Sequence, residues 1–318
     1  MISTILKNDE LHELRAEWTR LWSRTSGATP FQSPEWLLPW WNHFGSGSPI
    51  VTLQRSEGTL TGLLPLYYLP DESKVLPVGV GLSDYFDALG DSRGLLDAGL
   101  ASVSDPRAVC HLVDIRPTSH LVGATIPSWT TEWIETIACP VLTLPNIPTM
   151  ARRKLRMNQS RAQRSGGWVV ETASLETLDY HLNGLIRLHQ SRWRARGESG
   201  VLSDRRVLAF WHEAAPGLLS AGLLRLCSIK IAGEQAAAIA ALLAPDRIFF
   251  YLSGFDESYA FVSPGTILLG AMLEEAIAEG RSEAHFLRGR ERYKYQWGAQ
   301  DRLNWAGHFT RVAKSAQR

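Results

Sequence analysis

Two stretches of the amino-terminal half space their apolar residues three and four positions apart, which predicts amphipathic helices. The first has Leu11, Leu14, Trp18, Leu21 and Trp22 on one face. The second has Trp36, Leu37, Trp40, Trp41 and Phe44. In the second, Ser33 can cap the first amides, Pro34 suits the first helical position and Gly45 suits the end. Pro39 is expected to kink this helix, and we expect its tryptophans to be core residues rather than a sugar-stacking platform.

Strand-like runs at 50–53 and 61–68 open a series of alternating strands and helices that extends to about residue 144. The segment Pro145-Asn-Ile-Pro148 follows, and the composition changes after it. Because proline disfavours helix in the residue before it, we expect a joint here. This predicts one domain over 1–148 and a second over 149–318.

The second half has a clearer pattern. Helices are predicted over 152–164 and 178–193, and a third begins at Asp204 and is interrupted at Pro216-Gly217. Strands at 223–231, 235–243 and 247–252 are separated by turn residues, as in an antiparallel meander. The chain then predicts a helix from Ser263-Pro264 to about Glu279, a strand over 284–287 and a last strand over 303–312.

Composition narrows the class of protein. The 318 residues carry 33 Lys and Arg against 32 Asp and Glu, a net charge of +1, and 45% are apolar. This is ordinary for a globular protein and argues against non-specific coating of nucleic acid. Three distant cysteines without a CxxC pair predict neither a disulfide scaffold nor a metal site. The amino terminus lacks a signal-peptide pattern and no apolar run reaches membrane-span length, so we expect a cytoplasmic protein without a membrane span.

Several short motifs occur in an order that is more specific than any one of them. They are FQSPEW at 31–36 with Trp40-Trp41, SDYFD at 83–87, GFD at 254–256, SPG at 263–265, and FLRG at 286–289 leading to Tyr293, Lys294 and Trp297. Together they resemble the CelD/BcsL family of acetyltransferases associated with cellulose biosynthesis. The resemblance covers roughly the whole chain and is densest after Arg187.

Three strands, a loop that opens a helix, another strand and a short helix is also the order expected for the core of a GNAT-type acyltransferase. The resemblance implies an α+β fold of two tandem GNAT-like domains related to FemAB and FemX, each a mixed central sheet flanked by helices. It also implies a degenerate first domain on the acceptor side and a second domain that handles acyl-CoA. One departure is plain. The glycine-rich pyrophosphate loop Q/R-x-x-G-x-G/A is absent, and Ser263-Pro264-Gly265 stands in its place.

A helix that begins at Ser263-Pro264-Gly265 presents unpaired amides and the positive end of its dipole, and Gly265 allows close approach of a phosphate. These three residues are therefore candidates for binding the CoA pyrophosphate. The alternative is that Ser263 only caps the helix and Pro264 only starts it.

The segment 288–297 supplies further candidates. Arg288, Lys294 and Trp297 could hold the donor, because cations bind phosphates. Amine acylation needs a base for the amine proton and an acid for the departing thiolate. Tyr293 is the candidate acid, and Asp256 and Glu291 are the candidate bases. Alternatively, Tyr293 and Trp297 only pack against the sheet.

Two basic groups could bind an anionic ligand. One is the helix 152–164, which contains no acidic residue; the other lies between Arg187 and Arg196 and includes Arg192 beside Trp193, our preferred substrate-binding pair. Such runs are also typical of solvated helix faces. His189 lies on an apolar helix face and is expected to be a core residue.

Asp84, Tyr85 and Asp87 fall in a predicted loop, where they could line an acceptor pocket. The alternative is an Asx turn in which Asp84 caps local amides.

These observations predict an enzyme that transfers an acetyl or other acyl group from CoA to an amine or hydroxyl of a small or sugar-linked acceptor. The resemblance places this acceptor in exopolysaccharide or envelope synthesis. The alternatives are a FemAB-like transferase that uses aminoacyl-tRNA, and a catalytically silent module of a polysaccharide assembly system. None of the cysteines lies in a nucleophile context, as expected for direct transfer.

Overall fold

The computed structural model describes residues 1–5 and 8–312, and the chain forms two compact units. The first comprises Met1–Ile137 and the chain from Leu303, and the second is Ala138–Arg302. The predicted domains 1–148 and 149–318 differ from these units in two respects, because the boundary lies between Ile137 and Ala138 and the chain from Leu303 belongs to the first unit. Pairing between residues so far apart in the sequence leaves no local signal.

The described residues form thirteen strands and nine α-helices. The strands are β1 (Ile2–Ile5), β2 (Ser48–Ser56), β3 (Thr59–Leu69), β4 (Lys74–Pro77), β5 (Leu89–Gly90), β6 (Val109–Ile115), β7 (Trp129–Thr143), β8 (Trp168–Thr172), β9 (Leu224–Ile231), β10 (Glu234–Ala244), β11 (Arg247–Phe255), β12 (Glu283–His285) and β13 (Gln300–Arg311). The helices are α1 (Asn8–Glu13), α2 (Arg15–Arg24), α3 (Pro34–Phe44), α4 (Leu95–Ala101), α5 (Thr149–Arg164), α6 (Leu178–Ala195), α7 (Arg205–Ser220), α8 (Pro264–Ala278) and α9 (Arg292–Gln296).

In the first unit the strands lie in the order β1-β2-β3-β4-β6-β13, all antiparallel except the parallel pair β4 and β6. Helix α3 begins as predicted, because the Ser33 hydroxyl accepts the Trp36 amide at 3.3 Å. It continues through Pro39 to Phe44. Trp36 and Trp40 are buried, which confirms that the tryptophan stripe belongs to the core.

In the second unit, β8, β9, β10 and β11 form the predicted antiparallel meander. Strand β12 then pairs parallel to β11 and antiparallel to the end of β7. Alternate residues of β9 face opposite sides of this sheet. Ile229 packs in the core that includes α8, whereas Ser228 lies 2.9 Å from His181 Nδ1 of α6. The fold class is confirmed as α+β, with mixed sheets flanked by helices.

The predicted interruption of α7 at Pro216-Gly217 is wrong. Asp204 caps the helix as expected, its carboxylate accepting the Arg206 amide at 2.7 Å, but the helix then runs unbroken from Arg205 to Ser220. Proline costs one helical hydrogen bond there. Burial of one face, which includes Phe210, offsets this cost.

Among residues 1–5 and 8–312, no helix combines the length and apolar character needed to cross a membrane. The three cysteines are buried and unbonded to one another. In the same described ranges, no group of three or more His, Cys, Asp or Glu side chains is arranged to hold a metal ion.

Candidate active site in the second unit

Strands β11 and β12 separate at one end of the sheet. Their parallel pairing covers only Arg247–Phe249 opposite Glu283–His285, although β11 continues to Phe255. After His285 the chain turns toward β7, where the Phe286 amide donates to the Pro140 carbonyl at 2.9 Å. The later part of β11 therefore has no β12 partner, and we call this separation of the two strands the opening.

The chain beyond this opening is held by Lys294. This side chain is only 2% exposed, and its Nζ lies 3.2, 2.7 and 3.0 Å from the carbonyl oxygens of Leu287, Arg288 and Gly289. It also lies 2.9 Å from Glu291 Oε2. Because an ammonium has three protons, these contacts engage all of its donors. Lys294 therefore orders the segment 287–291, and no donor remains for a phosphate.

Trp297 is also a buried residue of the second unit. It is 5% exposed and packs in the apolar core of the second unit with residues of β10, β11 and α8. This position matches the alternative in which Trp297 only packs against the sheet. Neither Trp297 nor Lys294 is carried into the phosphate-binding set proposed below.

Helix α8 begins beside the opening with few uncommitted donors. Ser263 has a positive φ of 52° and its side chain does not cap the helix, while its carbonyl accepts the Thr266 and Ile267 amides at 2.9 and 3.3 Å. Pro264 has no N–H. Within the described ranges, the Gly265 amide has no acceptor, and a Cβ at Gly265 would meet no heavy atom within 4 Å. Gly265 thus leaves one amide accessible at the positive end of the helix.

Helix α5 carries the basic surface predicted from the sequence. It packs against α8, where Leu155 approaches Gly270, and against the short 3₁₀ turn Glu257–Val262 that precedes Ser263. Its exposed cations are Arg152, Arg153, Lys154, Arg156, Arg161 and Arg164. This helix accordingly supplies positive charge near the start of α8.

Helix α6 crosses β11 closely enough to require a glycine. A Cβ at Gly254 would lie 2.4 Å from the His189 backbone nitrogen. The crossing places the Arg192 guanidinium 5.0 Å from the centre of the Phe255 ring. Burial lowers the pKa of Arg192, as does Arg196 nearby, whereas Tyr293 and other acidic groups oppose this effect.

Tyr293 and Glu291, in the segment after β12, interact electrostatically with the same guanidinium. Tyr293 is 42% exposed, but the protein around it raises its pKa to about 12, with a further increase from Glu291. Its phenol is therefore protonated near neutral pH and can donate a proton. The Glu291 carboxylate is paired with Lys294. Arg192, Tyr293 and Glu291 thus lie within electrostatic range of one another.

Glu257 was not predicted to belong to this site, although it interacts electrostatically with Arg192. Its position directly after Asp256, at the end of a predicted strand, was the available signal. Asp256 itself caps the following turn, and its Oδ1 accepts the Ser258 amide at 2.9 Å and the Ser258 hydroxyl at 2.7 Å. This gives Asp256 a structural role beside the opening.

His189 is a core residue, as expected, and Trp193 donates its indole N–H to His189 Nε2 at 2.9 Å. Burial lowers the pKa of His189 to about 4, so the ring is neutral at pH 7. Since an indole N–H only donates, the remaining proton belongs on Nδ1. This atom is buried and has no acceptor among the residues that the structure describes. Trp193 thereby acts on the orientation of His189.

The candidates from the first half lie in the first unit and are less accessible than predicted. Tyr85 is 2% exposed, and its ring centre lies 6.1 Å from that of Phe31. Asp84 is 7% exposed. Asp87 borders a cleft and accepts the Ser119 hydroxyl at 2.6 Å.

Comparison with known proteins supports the interpretation of the fold. Residues 150–295 match the model of the acetyltransferase (GNAT) domain. None of the curated proteins compared with this chain matches it.

Solved structures match most of the chain at low sequence identity. FemX is 11% identical with a TM-score of 0.65, covering 92% of this chain and 95% of its own. L-PGS from Bacillus licheniformis is 12% identical with a TM-score of 0.59, covering 98% and 93%. A conserved protein of unknown function from Bacteroides thetaiotaomicron VPI-5482 is 10% identical with a TM-score of 0.67, covering 97% and 100%. These comparisons show a GNAT-type α+β fold, and residues 150–295 are similar to the acetyltransferase (GNAT) domain.

Proposed function

We propose that this protein transfers an acyl group from acyl-CoA to an amine or hydroxyl of a small or sugar-linked acceptor. The observation that carries the proposal is the opening between β11 and β12, because the start of α8 follows β11 while Tyr293 and Glu291 follow β12. The match to the GNAT acetyltransferase domain covers all of these elements.

The residues present fit an anionic acyl carrier. The accessible Gly265 amide, the dipole of α8 and the cations of α5 would bind its phosphates, and Arg288 lies in the segment after β12. This set replaces the glycine-rich loop that the sequence lacks. Acyl-CoA would supply an activated thioester to this site.

Direct transfer needs no covalent enzyme intermediate. The acceptor nitrogen or oxygen forms the new bond to the acyl carbon, and the carbon–sulfur bond breaks. Tyr293 donates its phenolic proton to the departing sulfur, and Glu291 accepts the proton of the acceptor. The positive charge of Arg192 favours the ionised form of Tyr293, so it would stabilise the tyrosinate formed transiently, and we assign the same guanidinium to orienting the acceptor. We place this acceptor in exopolysaccharide or envelope synthesis in the cytoplasm, on the resemblance to CelD/BcsL proteins.

The first experiment is calorimetric titration with acetyl-CoA and with CoA at low and high salt, after circular dichroism has established folding. Micromolar binding of both ligands is expected, and release of free thiol in the presence of amine and sugar acceptors would then identify the acceptor. Absence of binding by the folded protein would overturn the proposed donor.

The basic surface of α5 favours a second candidate, a transferase that uses aminoacyl-tRNA. Its test is tRNA binding at several salt concentrations. The binding constant should fall steeply with salt if several phosphates are contacted, because counterions are released. A protein that binds neither CoA nor tRNA would instead be a catalytically silent module.

A further inference from the structure

A polar cleft lies within the first unit, built from its residues alone. Its volume is about 630 Å³. It is bordered by the carboxyl end of α2, the start of β3, residues 87–92 and residues 116–120. A volume of this order is typical of sites for small molecules.

Hydroxyl groups dominate the lining, since seven of its sixteen residues are Ser or Thr. The Thr25 hydroxyl donates to the Leu21 carbonyl at 2.8 Å, and the Thr61 hydroxyl donates to the Gln54 carbonyl at 3.2 Å. Each of these oxygens keeps lone pairs that can accept further hydrogen bonds. Thr59 is exposed at the start of β3, and its hydroxyl can both donate and accept.

The lining of the cleft has more guanidinium groups than carboxylates. Asp87 is its single carboxylate, against the guanidinium groups of Arg24 and Arg116. The Asp87 carboxylate accepts hydrogen bonds from Arg116 at 3.3 Å, from Ser119 at 2.6 Å and from the Ala88 amide at 2.9 Å. Its charge is thus balanced inside the protein. Arg24 is exposed and donates through Nε to the Arg20 carbonyl at 3.1 Å, which leaves its terminal nitrogens for a ligand.

We propose that this cleft binds a phosphorylated sugar. Sugar hydroxyls pair with the Ser and Thr side chains, and the phosphate pairs with the exposed guanidinium of Arg24. A phosphate suits this site because guanidinium groups bind its oxygens in a bidentate manner. The site goes beyond the proposed acyl transfer and requires no acyl donor.

The test is titration of the full chain with glucose 6-phosphate, glucose, glucuronate and inorganic phosphate, at low and high salt. We expect glucose 6-phosphate to bind more tightly than the other three, and its binding to weaken with salt. Binding of glucuronate with equal affinity would overturn the phosphate assignment. Equal binding of glucose would remove the role of charge, and equal binding of inorganic phosphate would remove the role of the hydroxyls.

Two variants test the lining. Arg24→Ala should weaken glucose 6-phosphate binding about threefold to tenfold, and Thr59→Val should weaken it by about the same factor, without a loss of folding. The matched controls Arg20→Ala and Thr19→Val change exposed residues of α2 outside the cleft and should leave binding unchanged. Arg116 is not substituted, because its removal would leave the Asp87 carboxylate without its ion-pair partner.

Wild-type affinity in both cleft variants, or no binding by the wild-type protein, would overturn the proposal. Because no acyl donor enters this experiment, a failure of the proposed acyltransferase function would be seen separately, in the titration with acetyl-CoA.

Discussion

Substitution of Gly265 by aspartate would place a negative charge at the start of α8, where we propose that a phosphate binds. The structure predicts that the variant folds. A Cβ at this position meets no heavy atom within 4 Å, and the backbone of Gly265 is not in the left-handed region. An acidic side chain at a helix amino terminus also stabilises the helix by about 0.3–1 kcal/mol. The melting temperature of the variant should therefore not fall.

Binding of acetyl-CoA should change in the opposite direction. A carboxylate about 5 Å from one phosphate charge costs about 1 kcal/mol at the dielectric constant of water and about 3 kcal/mol at an effective value of about 20. The dissociation constant should rise about fivefold to about 150-fold. The increase should be smaller at high salt, because the interaction is partly screened.

Calorimetry on wild type, Gly265→Asp, Gly265→Asn and Gly265→Ala separates charge from size. Asparagine has nearly the shape of aspartate without its charge, so it should keep most of the affinity. Unchanged affinity in a folded Gly265→Asp protein would refute the phosphate position. An equal loss in the asparagine variant would show that the side chain acts through its volume.

Three further perturbations test other parts of the second unit. Tyr293→Phe should lower the turnover number about a hundredfold with little change in stability, if the phenol donates the proton; wild-type turnover would exclude Tyr293 as the acid. Lys294→Met should reduce turnover and speed proteolysis of the segment 287–291, because three carbonyl contacts are lost; unaltered proteolysis and turnover would contradict the positioning role. Burial lowers the pKa of His285 to about 4, so only the unfolded chain binds this proton between about pH 6.5 and 4.5. The folded protein should lose about 2 kcal/mol of stability as the pH falls through that range. Urea unfolding of His285→Gln should show a smaller loss, and an identical loss in wild type and variant would refute this assignment.

Local pattern was sufficient for elements whose ends carry their own chemical signals. Ser33 and Asp204 cap helices where predicted, and turn residues separate the three strands of the meander. Pro216 shows the limit of such signals. Its helix is stabilised by burial against other elements, and burial depends on residues distant in the sequence.

The candidate site was predicted in part. The sequence indicated Tyr293, Glu291 and Arg192 by residue type and position, and in the structure these three groups interact electrostatically. The sequence did not indicate that the Lys294 ammonium would donate to three carbonyl groups, because a lysine beside arginines is equally typical of a phosphate site. Glu257 and the cleft of the first unit were also missed.

The sequence by itself determined where several helices and strands of this protein begin and end, because apolar spacing, caps and turn residues act over a few neighbouring positions. The sequence also determined which functional groups are present, including the phenol of Tyr293 and the basic side chains of α5. Tertiary structure alone decided which of these groups remain available. Burial and pairing between distant residues commit Lys294 and Trp297 to the interior, leave the Gly265 amide accessible, and return β13 to the first unit.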